Sequence, residues 1–241
     1  MKTTEYIGQK IERLPKGYVF TYKDFLSALN NKEAIIKALN RMVISGKIAK
    51  LSKGKYYKPE NTVFGKLQPN QDQIVKDLLE SEGKTIGYLT VYSIFNKLVL
   101  TTQVSNTIQI AKNDIRPTFN REYYTITFIK QKNTNTKENI PLLQILDAIR
   151  YIKKIPDSST TQVCKQFVSI LNTLTNEDKS TLVRLAQKYS PATRALLGAL
   201  LEEVGENSLT ITLKKSLNPI TQYRLSGIEK VLSNAEKWNI K

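Results

Sequence analysis

Tyr6, Ile7, Ile11 and Leu14 recur at helical spacing and predict an amphipathic helix over 3–14, which Pro15-Lys16-Gly17 ends. Val19-Phe20 reads as a short apolar link. Thr21, with Asp24 three residues on, has the form of a capping box. A second helix over about 22–29 would present Phe25, Leu26 and Leu29. Asn30-Asn31 is a turn with another N-cap. The third helix, about Lys32 to Ser45, carries an inner stripe of Ile35, Leu39, Met42 and Val43, and Gly46 closes it. Lys47–Leu51 and Lys55–Lys58 then flank Ser52-Lys53-Gly54, a strand, a glycine-bearing turn and a strand, with Pro59 beyond. Three short helices and a basic hairpin are the outline of a winged helix-turn-helix.

Beyond it, 61–70 is polar with Pro59 and Pro69 at its margins and reads as a linker. Ile74, Val75, Leu78 and Leu79 predict a helix over 71–80. Tyr88, Val91, Tyr92 and Phe95 predict another over 88–98. Strands are expected at 107–111 and 122–130, the second alternating Tyr124, Ile126 and Phe128 against Tyr123, Thr125 and Thr127. Lys132–Glu138 is a polar break. Helices follow at 140–153, 159–174, 178–189 and 191–204, punctuated by Pro156, Asn176 as an N-cap, and Pro191. Leu209, Ile211 and Leu213 alternate as a strand, and a last helix covers about 226–237. The expected class is α+β. A winged helix-turn-helix (1–60) precedes the linker and a C-terminal domain (71–241), which is mixed α/β over 71–132 and mainly helical over 138–241.

Charge changes the picture. The chain holds 37 Lys+Arg against 21 Asp+Glu, a formal net charge of +16. Residues 1–58 carry 13 basic and 4 acidic residues, so about a quarter of the chain holds more than half of the excess. A basic excess gathered in one small domain suggests a polyanionic partner. With Ile35 and Leu39 turned inward, Asn31, Lys32, Glu33, Lys37, Asn40 and Arg41 fall on or near the outer face of the third helix. There Arg41 and Lys37 suit guanine or phosphate, and Asn40 suits adenine. Lys47, Lys50, Lys53, Lys55 and Lys58 stud the hairpin with no acid between them. Lys50, Ser52, Lys53 and Lys55 around the Gly54 tip suit phosphate or minor-groove contact. The candidate DNA-binding set is therefore Asn31, Lys32, Lys37, Asn40, Arg41, Lys50, Ser52, Lys53 and Lys55. Winged domains also dock proteins, so a protein- or RNA-interaction module is the alternative.

The stretch Ile36–Met42, Ser45-Gly46-Lys47-Ile48 and Ser52-Lys53-Gly54-Lys55-Tyr56-Tyr57 resembles the winged-helix start of AbiEi-type antitoxins. Gly87-Tyr88-Leu89-Thr90 and Leu98–Val104 resemble the segment that follows the wing in that family. Ser190–Leu201 and Leu217-Asn218-Pro219-Ile220-Thr221 resemble a C-terminal part found in a Bacteroidetes-type branch. The resemblance implies the antitoxin of a type IV toxin–antitoxin pair. Such a protein represses its own promoter, with double-stranded operator DNA as its partner. It opposes a nucleotidyltransferase-like toxin without a stable complex.

The chemistry-bearing residues narrow the alternatives. With no His in the chain, Ser-His-Asp and Cys-His nucleophilic arrangements are excluded. A single cysteine, Cys164, rules out a disulfide within the chain and disfavours zinc. Asp157, Glu177, Asp178 and Lys179 match the residue string of PD-(D/E)xK nucleases, but Glu177 and Asp178 stand where a helix is expected to begin. Glu202, Glu203 and Glu206 read as a solvated face. Arg116, Arg121, Tyr123 and Tyr124 read as packing near a sheet, with a base-stacking platform as the alternative. Arg150, Lys153 and Lys154 read as cations at a helix C-terminus. No signal peptide or membrane span is found. The expectation is a cytoplasmic, non-enzymatic protein with no cofactor and no metal.

Overall fold

A computed structural model describes residues 3–63 and 65–241. Met1 and Lys2, within the expected 1–60 domain, and Phe64, within the expected linker, lie outside the described residues. The chain is mixed α/β with several small sheets. It divides into two compact units, Met1–Leu79 with Asn120–Tyr124, and Glu80–Phe119 with Thr125–Lys241.

The first unit begins with α1 (Thr3–Glu12), which buries Ile7 and Ile11. The apolar link at 19–20 is a strand, β1 (Val19–Thr21), because its backbone finds partners in the later hairpin. Thr21 does form the expected capping box with Asp24. What it starts is a single 3₁₀ turn, Tyr22–Phe25, since the few residues before Asn30 give little return on helix nucleation. α2 (Lys32–Ile44) is N-capped by Asn31, whose Oδ1 accepts from Ala34 N at 2.9 Å. β2 (Ala49–Ser52) and β3 (Lys55–Tyr57) form the hairpin, with Gly54 at φ +76° in its turn. The three strands lie in the order β1-β3-β2, antiparallel throughout. Ile7, Ile11, Phe20, Phe25, Ile35, Leu39, Ile48 and Tyr56 share one core. Phe20 sits edge-on to Phe25 at 5.9 Å.

The segment expected to be a linker is a second hairpin. β4 (Glu60–Thr62) pairs antiparallel with β5 (Gly65–Leu67), and Thr62 Oγ1 donates to Gly65 O across the turn. The helix expected over 71–80 is broken into α3 (Gln71–Ile74) and α4 (Lys76–Leu79), because Val75 leaves helical dihedrals at φ −111° and ψ 16°. The first unit therefore runs to Leu79 rather than ending near residue 60.

The second unit opens with the small hairpin β6 (Glu80–Ser81) and β7 (Lys84–Thr85). The expected 88–98 helix is instead the strand β8 (Tyr88–Thr90) and a 3₁₀ turn, Val91–Ser93. Its helical spacing misleads because Tyr88 and Thr90 must face the same way, and because Val91 takes φ +48°, a left-handed conformation that ends a helix. β9 (Thr107–Lys112) pairs antiparallel with β8. β10 (Phe119–Arg121) comes next in the chain, and then β11 (Tyr124–Lys130), which runs parallel to β9 from Thr107↔Thr125 to Lys112↔Lys130.

Helices α5 (Asn139–Arg150), α6 (Thr160–Thr173), α7 (Asn176–Ala186) and α8 (Pro191–Glu203) match the periodic segments closely. The cap of α7 is Thr175, not Asn176, and it closes a capping box with Asp178. The strand expected at 209–213 is α9 (Asn207–Lys215). Leu213 is buried while Ile211 is 54% exposed, so the two do not share the inner face that strand alternation required. The last expected helix is two 3₁₀ turns, Ile228–Lys230 and Glu236–Trp238, which follow Gly227 at φ +82°. That C-terminal strap returns to bridge Tyr223 with Ile240 and buries Trp238 against Gly198 of α8.

Candidate nucleic-acid interface

α2 is amphipathic by construction. Ile35, Ala38, Leu39 and Met42 are buried, which leaves Lys32, Lys37, Asn40, Arg41 and Ile44 exposed. Asn31, exposed at its N-terminus, is used as the cap. Lys32 Nζ lies 5.1 Å from the centre of the Tyr22 ring, a cation–π contact that leaves its charge at the surface. Asn40 is exposed, yet its Oδ1 accepts from Tyr56 Oη at 3.0 Å, tying the helix to β3. A bidentate adenine contact would have to displace that bond. Ile44 is 87% exposed.

In the hairpin, Lys50 and Lys53 are exposed and Ser52 is half-buried. Lys55 behaves differently. Its Nζ is 2.7 Å from Asp77 Oδ2 with the side chain 17% exposed, and Arg121 forks onto the same carboxylate at 2.8 and 3.1 Å. Burial pushes the Lys55 ammonium below its usual value, although Asp77 opposes the shift. Burial raises the Asp77 carboxyl, but the Arg121 and Lys55 hydrogen bonds outweigh it and hold the group below the usual carboxylate range. Lys58 likewise turns back, donating to Glu12 O and Leu14 O at the end of α1. The wing assignment of Lys55 is therefore corrected: Lys32, Lys37, Arg41, Lys47, Lys50 and Lys53 stay exposed, while Lys55 and Lys58 hold the unit together. No local pattern around the hairpin signals this, because Asp77 and Arg121 are distant along the chain. Arg121 thus serves an ion pair, and Tyr123 beside it is 78% exposed.

The remaining motifs are accounted for in the second unit. Asp178 caps α7. Lys179 Nζ pairs with Glu206 at 2.8 Å, so the nuclease string is occupied by a cap and an ion pair. Asp157 accepts from Gln103. Glu202, expected on a solvated face, is an 8%-exposed hub that accepts from Lys237 and from Trp238 Nε1. Burial pushes the Cys164 thiol up to about 11, which leaves it protonated and a poor nucleophile. Among the described residues, no group of three His, Cys, Asp or Glu side chains could hold a metal ion. Nor is any helix there long and apolar enough to cross a membrane.

Three comparisons bear on this arrangement. Residues 6–175 match DUF6088, a family of unknown function. No curated protein matches. Among solved structures, the chain is similar to the RV2827C protein from Mycobacterium tuberculosis, with a TM-score of 0.57 and 12% identity over 92% of this chain and 83% of that one. Likeness at such identity speaks to the fold alone.

Proposed function

This chain belongs to the DUF6088 family, whose function is unknown, and we propose that its first unit is a winged-helix module that binds double-stranded DNA through the outer face of α2 and the β2–β3 hairpin. The observation that carries the reading is that Lys37, Arg41, Lys50 and Lys53 are all exposed, and among the described residues none of them is paired with a carboxylate. The β1-β3-β2 order supports it, since a strand before the 3₁₀ turn and α2 completes the sheet from which a wing projects. Exposed Ile44 on the same face suits a thymine methyl. With the resemblance to AbiEi-type antitoxins, the full proposal is a cytoplasmic, non-enzymatic autorepressor that opposes a nucleotidyltransferase-like toxin.

Gel-shift titration against the duplex upstream of its own reading frame tests the first part. K50E with K53E should weaken binding by about 100-fold or more. For wild type, neutralising about four phosphates predicts a log K against log salt slope of about −3 to −4. Binding that survives the double reversal would refute the wing assignment. K55M serves as the contrast: it should cost about 1 kcal/mol of stability and change DNA affinity by no more than about twofold. Co-expression with the neighbouring reading frame tests the antitoxin part, with relief of growth arrest as the expected result.

Ile44 also favours a second reading. An 87%-exposed isoleucine on a helix face is equally suited to a protein partner. I44D would then abolish capture of that partner while the lysine reversals would not.

A further inference from the structure

The second unit carries its own basic excess, 21 Lys+Arg against 13 Asp+Glu, and part of it converges on one cleft. The cleft is about 470 Å³ and lies among the end of α5, the start of α8 and the C-terminal strap. Such a volume falls within the usual range of small-molecule sites, about 300–1,000 Å³. Ile149, Ile152, Leu196 and Leu225 give it apolar walls, and Arg150, Lys153, Lys154 and Arg224 line it as well. A smaller recess, lined by Lys130, Lys132 and Lys188, shares Arg150 and Ser190 with it.

Among the described residues, none of these seven cations is within ion-pair distance of a carboxylate. Lys154 and Arg150 instead lie over the Tyr151 ring, both at 5.1 Å. A helix C-terminus accounts for Arg150, Lys153 and Lys154. It does not account for Arg224 on the strap, Lys188 after α7, Lys130 at the end of β11, or Lys132 just beyond it. Like charges brought together from four elements with no ion-paired carboxylate are a cost that a bound anion removes. Two further features favour an anion with hydrogen-bonding oxygens. Ser190, the N-cap of the 13-residue α8, and Thr193 in its first turn line the cleft at the positive end of that helix, their hydroxyls 2.9 Å apart. The Tyr223 hydroxyl in the same wall is shielded from water and has no hydrogen-bond partner.

We propose that this cleft binds a mononucleotide, its phosphates held by Arg150, Lys153 and Arg224 and its base against the apolar wall. Calorimetric titration of the full chain with ADP, adenosine and inorganic phosphate tests this. ADP should bind saturably at one site, at least 10-fold more tightly than either adenosine or phosphate, because only ADP fills both halves. K153E with R224E, both exposed, should weaken ADP binding by at least 10-fold with the thermal transition unchanged. K165E, an exposed charge on α6 away from the cleft, should leave it within twofold, as should K50E with K53E on the first unit. No saturable ADP binding at millimolar concentration would overturn the proposal. So would equal affinity for phosphate and ADP, or equal loss from K165E. None of these results depends on whether the first unit binds DNA.

Discussion

Asp147→Ala should cost about 3–5 kcal/mol and unfold the second unit near ordinary temperatures. Asp147 is fully buried in α5 and, among the described residues, faces no cation at ion-pair distance. Its charge is met by hydroxyls. Tyr88 Oη and Thr90 Oγ1 each donate to Oδ2 at 2.7 Å, and Tyr189 Oη donates to Oδ1 at 2.8 Å. Gln131 Nε2 in turn donates to both tyrosines, at 2.7 and 2.9 Å. One carboxylate thereby joins β8, α5, the end of β11 and the segment after α7. Alanine would strand three donors where water cannot reach them. Asp147→Asn keeps one acceptor oxygen and should cost less, about 1–3 kcal/mol.

The same group predicts a pH dependence whose sign follows from its surroundings. Burial raises the Asp147 carboxyl above its ordinary 3.8, and the three hydroxyls and the charge of Arg150 only partly offset this. The folded state therefore keeps this proton to higher pH than the unfolded state does. The associated stability is fully present below about 3.8 and is lost as pH rises through the folded value. Asp147→Asn does not titrate, so wild type should be most stable relative to it in acid, and the gap should narrow toward neutral pH. Urea midpoints of the two proteins across that range measure it. A gap that widens with rising pH would show that the hydroxyls, not burial, dominate.

This network shows what the sequence could and could not convey. The long helices α5, α6, α7 and α8 were legible because a 3.6-residue period repeats for three turns or more. So were α2, its Asn31 cap and the hairpin turn at Gly54, where local chemistry decides. The 88–98 segment was misread because Tyr88 and Thr90 serve Asp147, more than fifty residues away, and not their neighbours. Lys132–Glu138 looked like a solvated break, yet Asn133 and Asn135 are buried, with Asn133 donating to Leu185 O. Polar composition signals exposure only when no distant acceptor is waiting. On the candidate interface, the exposure of Lys37, Arg41, Lys50 and Lys53 followed from helix phase and turn position. The withdrawal of Lys55 depends on Asp77, which no periodicity connects to the wing.

Gly198→Ala is expected to be the second severe change, although it adds a single methyl in the middle of a helix, where alanine is ordinarily the better residue by about 1 kcal/mol. Gly198 is helical, so no special backbone angle demands glycine. The demand comes from Trp238, whose ring would overlap a Cβ placed there. The indole is 1% exposed, its Nε1 donates to Glu202 Oε2 at 3.0 Å, and Lys214 Nζ stands 5.2 Å over the ring. Held on three sides, it cannot yield without breaking one of these contacts. Overpacking should outweigh the helix preference, for a net loss of about 1–3 kcal/mol by urea denaturation. Trp238→Ala should cost about 3–5 kcal/mol. In the double variant the methyl meets a space instead of a ring, so the combined loss should fall well short of the sum of the two. Additive losses would mean that the glycine answers to something other than the indole. Trp238 anchors the strap that carries Tyr223, Arg224, Leu225 and Ile240, so Gly198→Ala should also weaken ADP binding at the cleft, although residue 198 lines no part of it.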